Sequence, residues 1–312
     1  LYKQLVDEFA LRVIHDIEQV VKGRHIRAHY PQYSCIASLG DILSMLRDER
    51  KYHMIPTLSI IGMSVSGGIA ILLPVVLAIV LYRLNRFRIS FLFMGAAAFF
   101  ISQIILRSTM LSVLALTPFH KGMADNLIYM LIIGAFSAGL FEETARYGGL
   151  SLLKKNGVTW ADAVAFGIGH GGIESILLVG LAQVSNVITS ILIRTGALDS
   201  LIASGMDEKM SEIESVYLNT SPALFFASGL ERILVMPVHI CLSVLVCLAI
   251  IKKKPILVAV SILLHTLVNV PAVMAGAFDL NIWLVEGILF VLAVGMIYGI
   301  IRMKRSFTDY SS

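Results

Sequence analysis

Charge is what this 312-residue sequence has least of: Asp, Glu, Lys and Arg together make up 15% of it, against 57% hydrophobic residues. A soluble chain carries about 25% charged residues, so a water-soluble globular protein is excluded and a polytopic membrane protein is implied. Cysteine is scarce as well. Cys35, Cys241 and Cys247 form no CxxC pair and no metal-ligand spacing, and the last two lie in one apolar run, where they read as packing residues. The HExxH arrangement of soluble zinc proteases is missing. So is the apolar stretch of a secretory signal within the first 53 residues. No repeat of 20–50 residues and no low-complexity tract occurs, which counts against a transporter built from inverted halves.

What is present is apolar length. Runs able to cross about 30 Å of hydrocarbon occur near 57–82, 89–116, 127–150, 160–193, 222–251, 256–276 and 281–301. The fold class expected is therefore all-α, a transmembrane bundle of about seven spans. The second and fourth runs are long enough to tilt or to contain a break. Basic residues follow alternate spans: Arg83, Arg86 and Arg88, then Lys154 and Lys155, then Lys252, Lys253 and Lys254, then Arg302, Lys304 and Arg305. The positive-inside rule places those loops and the C-terminus in the cytoplasm of a multi-pass cell-membrane protein, a bacterial plasma membrane being the expected setting. The formal net charge of +4 belongs to these loops and implies no nucleic-acid partner.

Residues 1–53 differ from the rest and read as an N-terminal extension, with residues 54–312 as the membrane domain. Leu5, Phe9, Val13 and Ile17 recur at helical spacing, which predicts one amphipathic helix, and a second is expected over 38–50. Met54 or Met63 reads as a natural start for the membrane part. The region 195–220 is the longest outer loop, and its acidic run Asp207, Glu208, Glu212 and Glu214 reads as a solvated face.

The chemistry sits where charge should not be. Glu142, Glu143, Arg146, Glu174, Glu231 and Arg232, with His170, His239 and His265, all lie inside apolar runs. Six such charges exposed to lipid would cost on the order of 15–20 kcal/mol, so they must pair or work. Depth shows which can meet. Counted from the basic belts, Glu142, His170, His239 and His265 lie about 16–23 Å into the membrane at 1.5 Å per residue. Four helices thus bring one carboxylate and three imidazoles to one level. Companions follow at helical spacing: Arg146 after Glu142, Glu174 after His170, Asn269 after His265, Arg107 after Gln103, and Arg232 seven before His239. Gly167, Gly169, Gly171 and Gly172 around His170 permit close helix approach or a local break. Glu286, alone in the seventh run, reads as an interhelical hydrogen-bond group.

A carboxylate beside imidazoles can take a proton from water and return it to a leaving amine, and an Asn amide or imidazole N–H can hold an oxyanion. The same Glu and His donors suit zinc. The residues also fit a proton relay in a transporter, or a non-catalytic membrane scaffold.

The run from Phe141 to Tyr147, with Glu142, Glu143 and Arg146, resembles the EExxxR motif of the CAAX prenyl-protease and bacteriocin-processing (CPBP) superfamily. Phe166 to His170 matches its FxxxH motif and His265 to Asn269 its HxxxN motif. The run from Gly169 to Glu174, and the Glu231–Arg232 pair leading to His239, resemble the YhfC family of intramembrane peptidases within that superfamily, over roughly residues 54–305. The resemblance implies an intramembrane endopeptidase acting on a membrane protein or peptide. By that carry-over Glu142 activates water with His170 assisting, and His265 with Asn269 binds the oxyanion. Glu143 and Arg146 support the arrangement, and His239 is a catalytic partner or a metal ligand. The favoured reading is a glutamic-type enzyme requiring no cofactor; the metallopeptidase alternative uses zinc on Glu142, His170, His239 and His265.

Overall fold

The computed structural model describes residues 55–154, 157–195, 213 and 215–308. Seven helices in it are long and apolar enough to cross a membrane. They are α1 (Thr57–Asn85), α2 (Ile89–Ala115), α3 (Leu127–Leu153), α4 (Trp160–Arg194), α5 (Pro222–Ile251), α6 (Ile256–Phe278) and α7 (Ile282–Thr308). Among the described residues there is no strand. The expected helices around 5–17 and 38–50, Cys35, and the acidic run from 207 to 214 lie outside the described residues.

The chain divides into two compact units, residues 57–188 with 221–312, and residues 1–56 with 189–220. The first carries the bundle described below. In the second, the described residues include the last turns of α4 and a helical stretch over 215–219.

Where the sequence suggests a break, the helices widen instead. α2 runs as a π-helix over Phe100–Arg107 and α4 over Ser175–Gly180, and α3 has a third such segment at Ile132–Phe136. Each replaces i→i+4 bonding by i→i+5, which keeps the helix continuous while turning its faces.

α4 is a central helix of the bundle because its glycines let neighbours come close. A Cβ on Gly169 would strike the Leu92 carbonyl of α2, one on Gly167 would lie 2.5 Å from Ile240 Cα of α5, and one on Gly172 would lie 2.7 Å from Pro74 of α1. Packing of small residues is the main attractive device between helices in lipid. The entry to α4 is fixed by a capping box between Thr159 and Asp162. Asp162 also accepts from Arg88 at the start of α2, 2.8 Å from its backbone N and 2.7 Å from Nη2. α5 is buried along most of its length. α6 buries only the stripe Ser261, His265, Val268 and Pro271, while residues such as Leu263 face outward. α7 packs Val285, Leu289, Ala293 and Met296 against Leu234, Val238, Cys241 and Leu242 of α5. Cys241 and Cys247 are free and buried, as packing residues.

Candidate active site

Two adjacent glutamates on α3 face different partners. Glu143 is wholly buried and saturated. Arg146 Nε donates to its Oε2 at 3.1 Å, Ser261 Oγ donates to the same oxygen at 2.5 Å, and His265 Nδ1 lies 2.8 Å from Oε1. Arg146 extends the network to α5 through Ser243 Oγ (2.5 Å), the His239 carbonyl (3.2 Å) and His239 Nδ1 (3.3 Å). The expected pairing of Arg146 with Glu142 is therefore corrected: its partner is Glu143. The sequence reads Glu-Glu, two residues, Arg, so Arg146 stands three after Glu143. At that spacing on a helix it reaches Glu143 while its remaining donors are drawn toward α5.

Glu142 is held otherwise. Its Oε2 lies 2.9 Å from His170 Nε2, 3.7 Å from His265 Nε2 and 3.9 Å from His239 Nδ1. Its Oε1 accepts from Gln103 Nε2 of α2 at 2.5 Å. Of the three carboxylates that meet the imidazoles, Glu142 is the one with no guanidinium at ion-pair distance among the described residues, since Glu143 has Arg146 and Glu174 has Arg232. The rings pack in sequence: His170 and His239 have centroids 5.3 Å apart, His239 and His265 5.7 Å. Phe99 closes one side, edge-on to His170 at 5.5 Å.

Partners on the neighbouring helices orient the three rings. A carboxylate only accepts, so His265 donates from Nδ1 to Glu143, and its Nε2 faces Glu142 Oε2 at 3.7 Å. Arg146 only donates, so His239 Nδ1 accepts from it, and His239 Nε2 lies 2.7 Å from Glu174 Oε2. His170 Nε2 meets Glu142 Oε2, and its buried Nδ1 has no partner among the described residues.

Other expected pairs divide differently from the sequence reading. Glu174 does not turn to His170 one turn before it. It meets His239 and, at 3.0 Å, Arg232 Nη1 of α5, because a 40° offset around α4 points His170 at α3 and Glu174 at α5. Arg232 also pairs with its neighbour Glu231. Gln103 and Arg107 do meet, at 3.1 Å. Asn269 is half-buried one turn from His265, with no hydrogen bond among the described residues. Glu286 is buried, and its Oε2 has no hydrogen-bond partner among the described residues. Sequence reasoning left Gln103 out of the site, although it lies about 22 Å from the Arg88 belt, at the depth of the histidines. Ser243 and Ser261 were also passed over, each one helical turn from a site histidine.

The donor set fits a metal. Glu142, His170 and His239 each offer a ligand atom within 4.8 Å of the others. Carboxylates stand behind two rings, Glu174 behind His239 and Glu143 behind His265, as commonly found around metal-bound imidazoles.

A family model described as YhfC intramembrane metalloprotease matches residues 69–289. A Bacillus subtilis (strain 168) protein described as uncharacterized membrane protein YhfC is 33% identical over 258 residues, 81% of this chain and 100% of its own length. No solved structure matches. With seven membrane-length helices and a family match that covers the span-borne Glu and His residues, the chain is a multi-pass membrane protein that belongs to the YhfC family.

Proposed function

We propose that this protein is an intramembrane endopeptidase that hydrolyses a membrane-embedded protein or peptide. The observation that carries the reading is the meeting of Glu142 Oε2 with ring nitrogens from α4, α5 and α6 at 2.9–3.9 Å. Glu142 takes a proton from water, and the water oxygen bonds to the scissile carbonyl carbon. The C–N bond then breaks as the proton passes to the leaving nitrogen. His170 holds Oε2 and shares that proton. His265, fixed by Glu143, and the amide of Asn269 face the carbonyl oxygen as charge develops on it. Glu174, held by Arg232, which Glu231 also pairs with, orients His239.

Zinc, held by Glu142, His170 and His239, would supply Lewis acidity toward water and the carbonyl oxygen. We place the family within the CPBP superfamily, on its three motifs occurring in order and their residues converging. The Glu-Glu-Arg spacing is one residue shorter than the superfamily motif. The loop charges support a cytoplasmic C-terminus in a cell membrane.

The test is reconstitution in proteoliposomes with a library of labelled single-span peptides, beside a comparison of membrane-protein termini in cells carrying wild-type or Glu142→Ala protein. Wild type is expected to cut at least one peptide, and Glu142→Ala and His170→Ala none, with unfolding temperatures near wild type. Undiminished cutting by either variant removes the mechanism. No cutting and no Glu142-dependent termini remove the function. Loss of cutting in chelator with recovery on added zinc assigns the metal; cutting that persists assigns a glutamic enzyme.

A further inference from the structure

The two oxygens of Glu142 are held by different kinds of group. Oε2 faces the imidazoles, whereas Oε1 faces an amide, Gln103 Nε2 at 2.5 Å, which also reaches the Ala138 carbonyl at 3.4 Å. The far end of that amide is fixed as well, because Arg107 Nη1 donates to Gln103 Oε1 at 3.1 Å. A guanidinium can only donate and a carboxylate can only accept. Between them the amide has one orientation, with its N–H toward Glu142.

Arg107 is in turn held by α3. Its Nε donates to Ser137 Oγ at 2.9 Å, and its Nη2 to the carbonyls of Ile133 at 2.9 Å and Gly134 at 3.2 Å. Gln103 and Arg107 lie in the π-helical segment of α2, and Ile133 and Gly134 in that of α3. Wide turns of this kind loosen regular carbonyl bonding and recur at functional sites. Here two of them, on different helices, converge on the aim of a single buried amide. Gln103 and Arg107 are 8% and 7% exposed, so these bonds are buried.

We propose that Gln103 is a positioning residue: aimed by Arg107, it ties down Oε1 of Glu142 so that Oε2 alone is presented to the three imidazoles and does the chemistry. This rests on Glu142 being the acting group, as argued above. A simple polar bridge between α2 and α3 would differ in effect, since it would hold the helices together without favouring one oxygen over the other.

Gln103→Met keeps the volume and removes the donor. With a peptide that wild type cuts, kcat is expected to fall roughly 10- to 100-fold, the usual loss for a group that orients a reacting one. KM should stay within about twofold and unfolding temperature within a few degrees of wild type. A second reading needs no substrate: a crystal structure of the same variant, grown in lipidic mesophase, should show the Glu142 carboxylate turned and its contact to His170 Nε2 lengthened. Unchanged kcat, a loss confined to KM, or a Glu142 carboxylate that keeps its wild-type position overturns the proposal. If Gln103→Met does not fold, Gln103→Leu takes its place in both measurements. If wild type cuts nothing, the peptidase reading fails separately, and the variant's crystal structure alone decides whether Gln103 aims Glu142.

Discussion

Two pockets one residue apart on α3 are built on opposite principles. The pocket of Glu143 is closed: a guanidinium, a hydroxyl and an imidazole N–H satisfy it, and nothing in it is left to react. The pocket of Glu142 is polar without a guanidinium in contact, and its partners are an amide and three rings that can each gain or lose a proton. A buried charge that is fully paired holds helices together, and removing one partner is strongly destabilising. A buried carboxylate compensated by titratable rings can exchange protons with whatever lies beside it. The adjacent glutamates thus divide structure from chemistry, and substitution should separate them.

The largest effect is expected at Glu142. Glu142→Gln keeps the bond from a neighbouring donor in shape but removes the base, and hydrolysis should fall about 10²- to 10⁴-fold. Unfolding temperature in detergent should hardly move. A variant that unfolds instead of losing activity would make Glu142 structural and erase the distinction. Glu143→Ala should do the reverse. It strands Arg146, which is wholly buried, and should cost about 3–5 kcal/mol of stability, read as a large drop in unfolding temperature and in yield of inserted protein. Glu143→Ala with wild-type stability would show that the closed pocket holds nothing.

A smaller effect tests the same pocket from α6. Ser261 donates to Glu143 at 2.5 Å, and Ser261→Ala removes one of several donors while leaving Arg146 paired. A hydrogen bond to a charged group contributes about 1.5–3 kcal/mol, so the loss should be clearly below that of Glu143→Ala. Combining the two substitutions should add little, because both act on one carboxylate. Additive losses would place Ser261 in some other network.

How much of this was legible in the sequence depends on the quantity asked for. Hydropathy located the spans closely: the run read at 222–251 is α5, Pro222–Ile251. α7 continues past the expected end at 301 to Thr308, where the Lys304 ammonium sits over the Trp160 ring of α4, 4.7 Å from its centroid. Depth counting put Glu142, His170, His239 and His265 at one level, since rise per residue is nearly constant in a helix. Partner choice was not legible. Residues three and four apart share a face, so Arg146 had two glutamates within reach, and the neighbouring helix decided between them. The π-helical turns leave no mark on hydropathy, and the pairing of Gln103 with Arg107 along α2 says nothing of its second bond, across to Glu142 on α3.

The smallest effect should have the opposite sign. Glu286 of α7 is 4% exposed, and its Oε2 lacks a partner among the described residues, so it resembles Glu142 in burial while lacking the rings that give Glu142 its use. A buried polar group without a hydrogen bond costs about 1–3 kcal/mol, and a well-packed apolar replacement removes that cost. Glu286→Met should therefore raise the unfolding temperature slightly and leave hydrolysis unchanged. A fall in stability would mean that Glu286 is paired in the folded protein after all. A fall in activity at unchanged stability would mean that chemistry extends to α7, and that lack of a guanidinium partner, rather than contact with the imidazoles, is what marks a working carboxylate in this bundle.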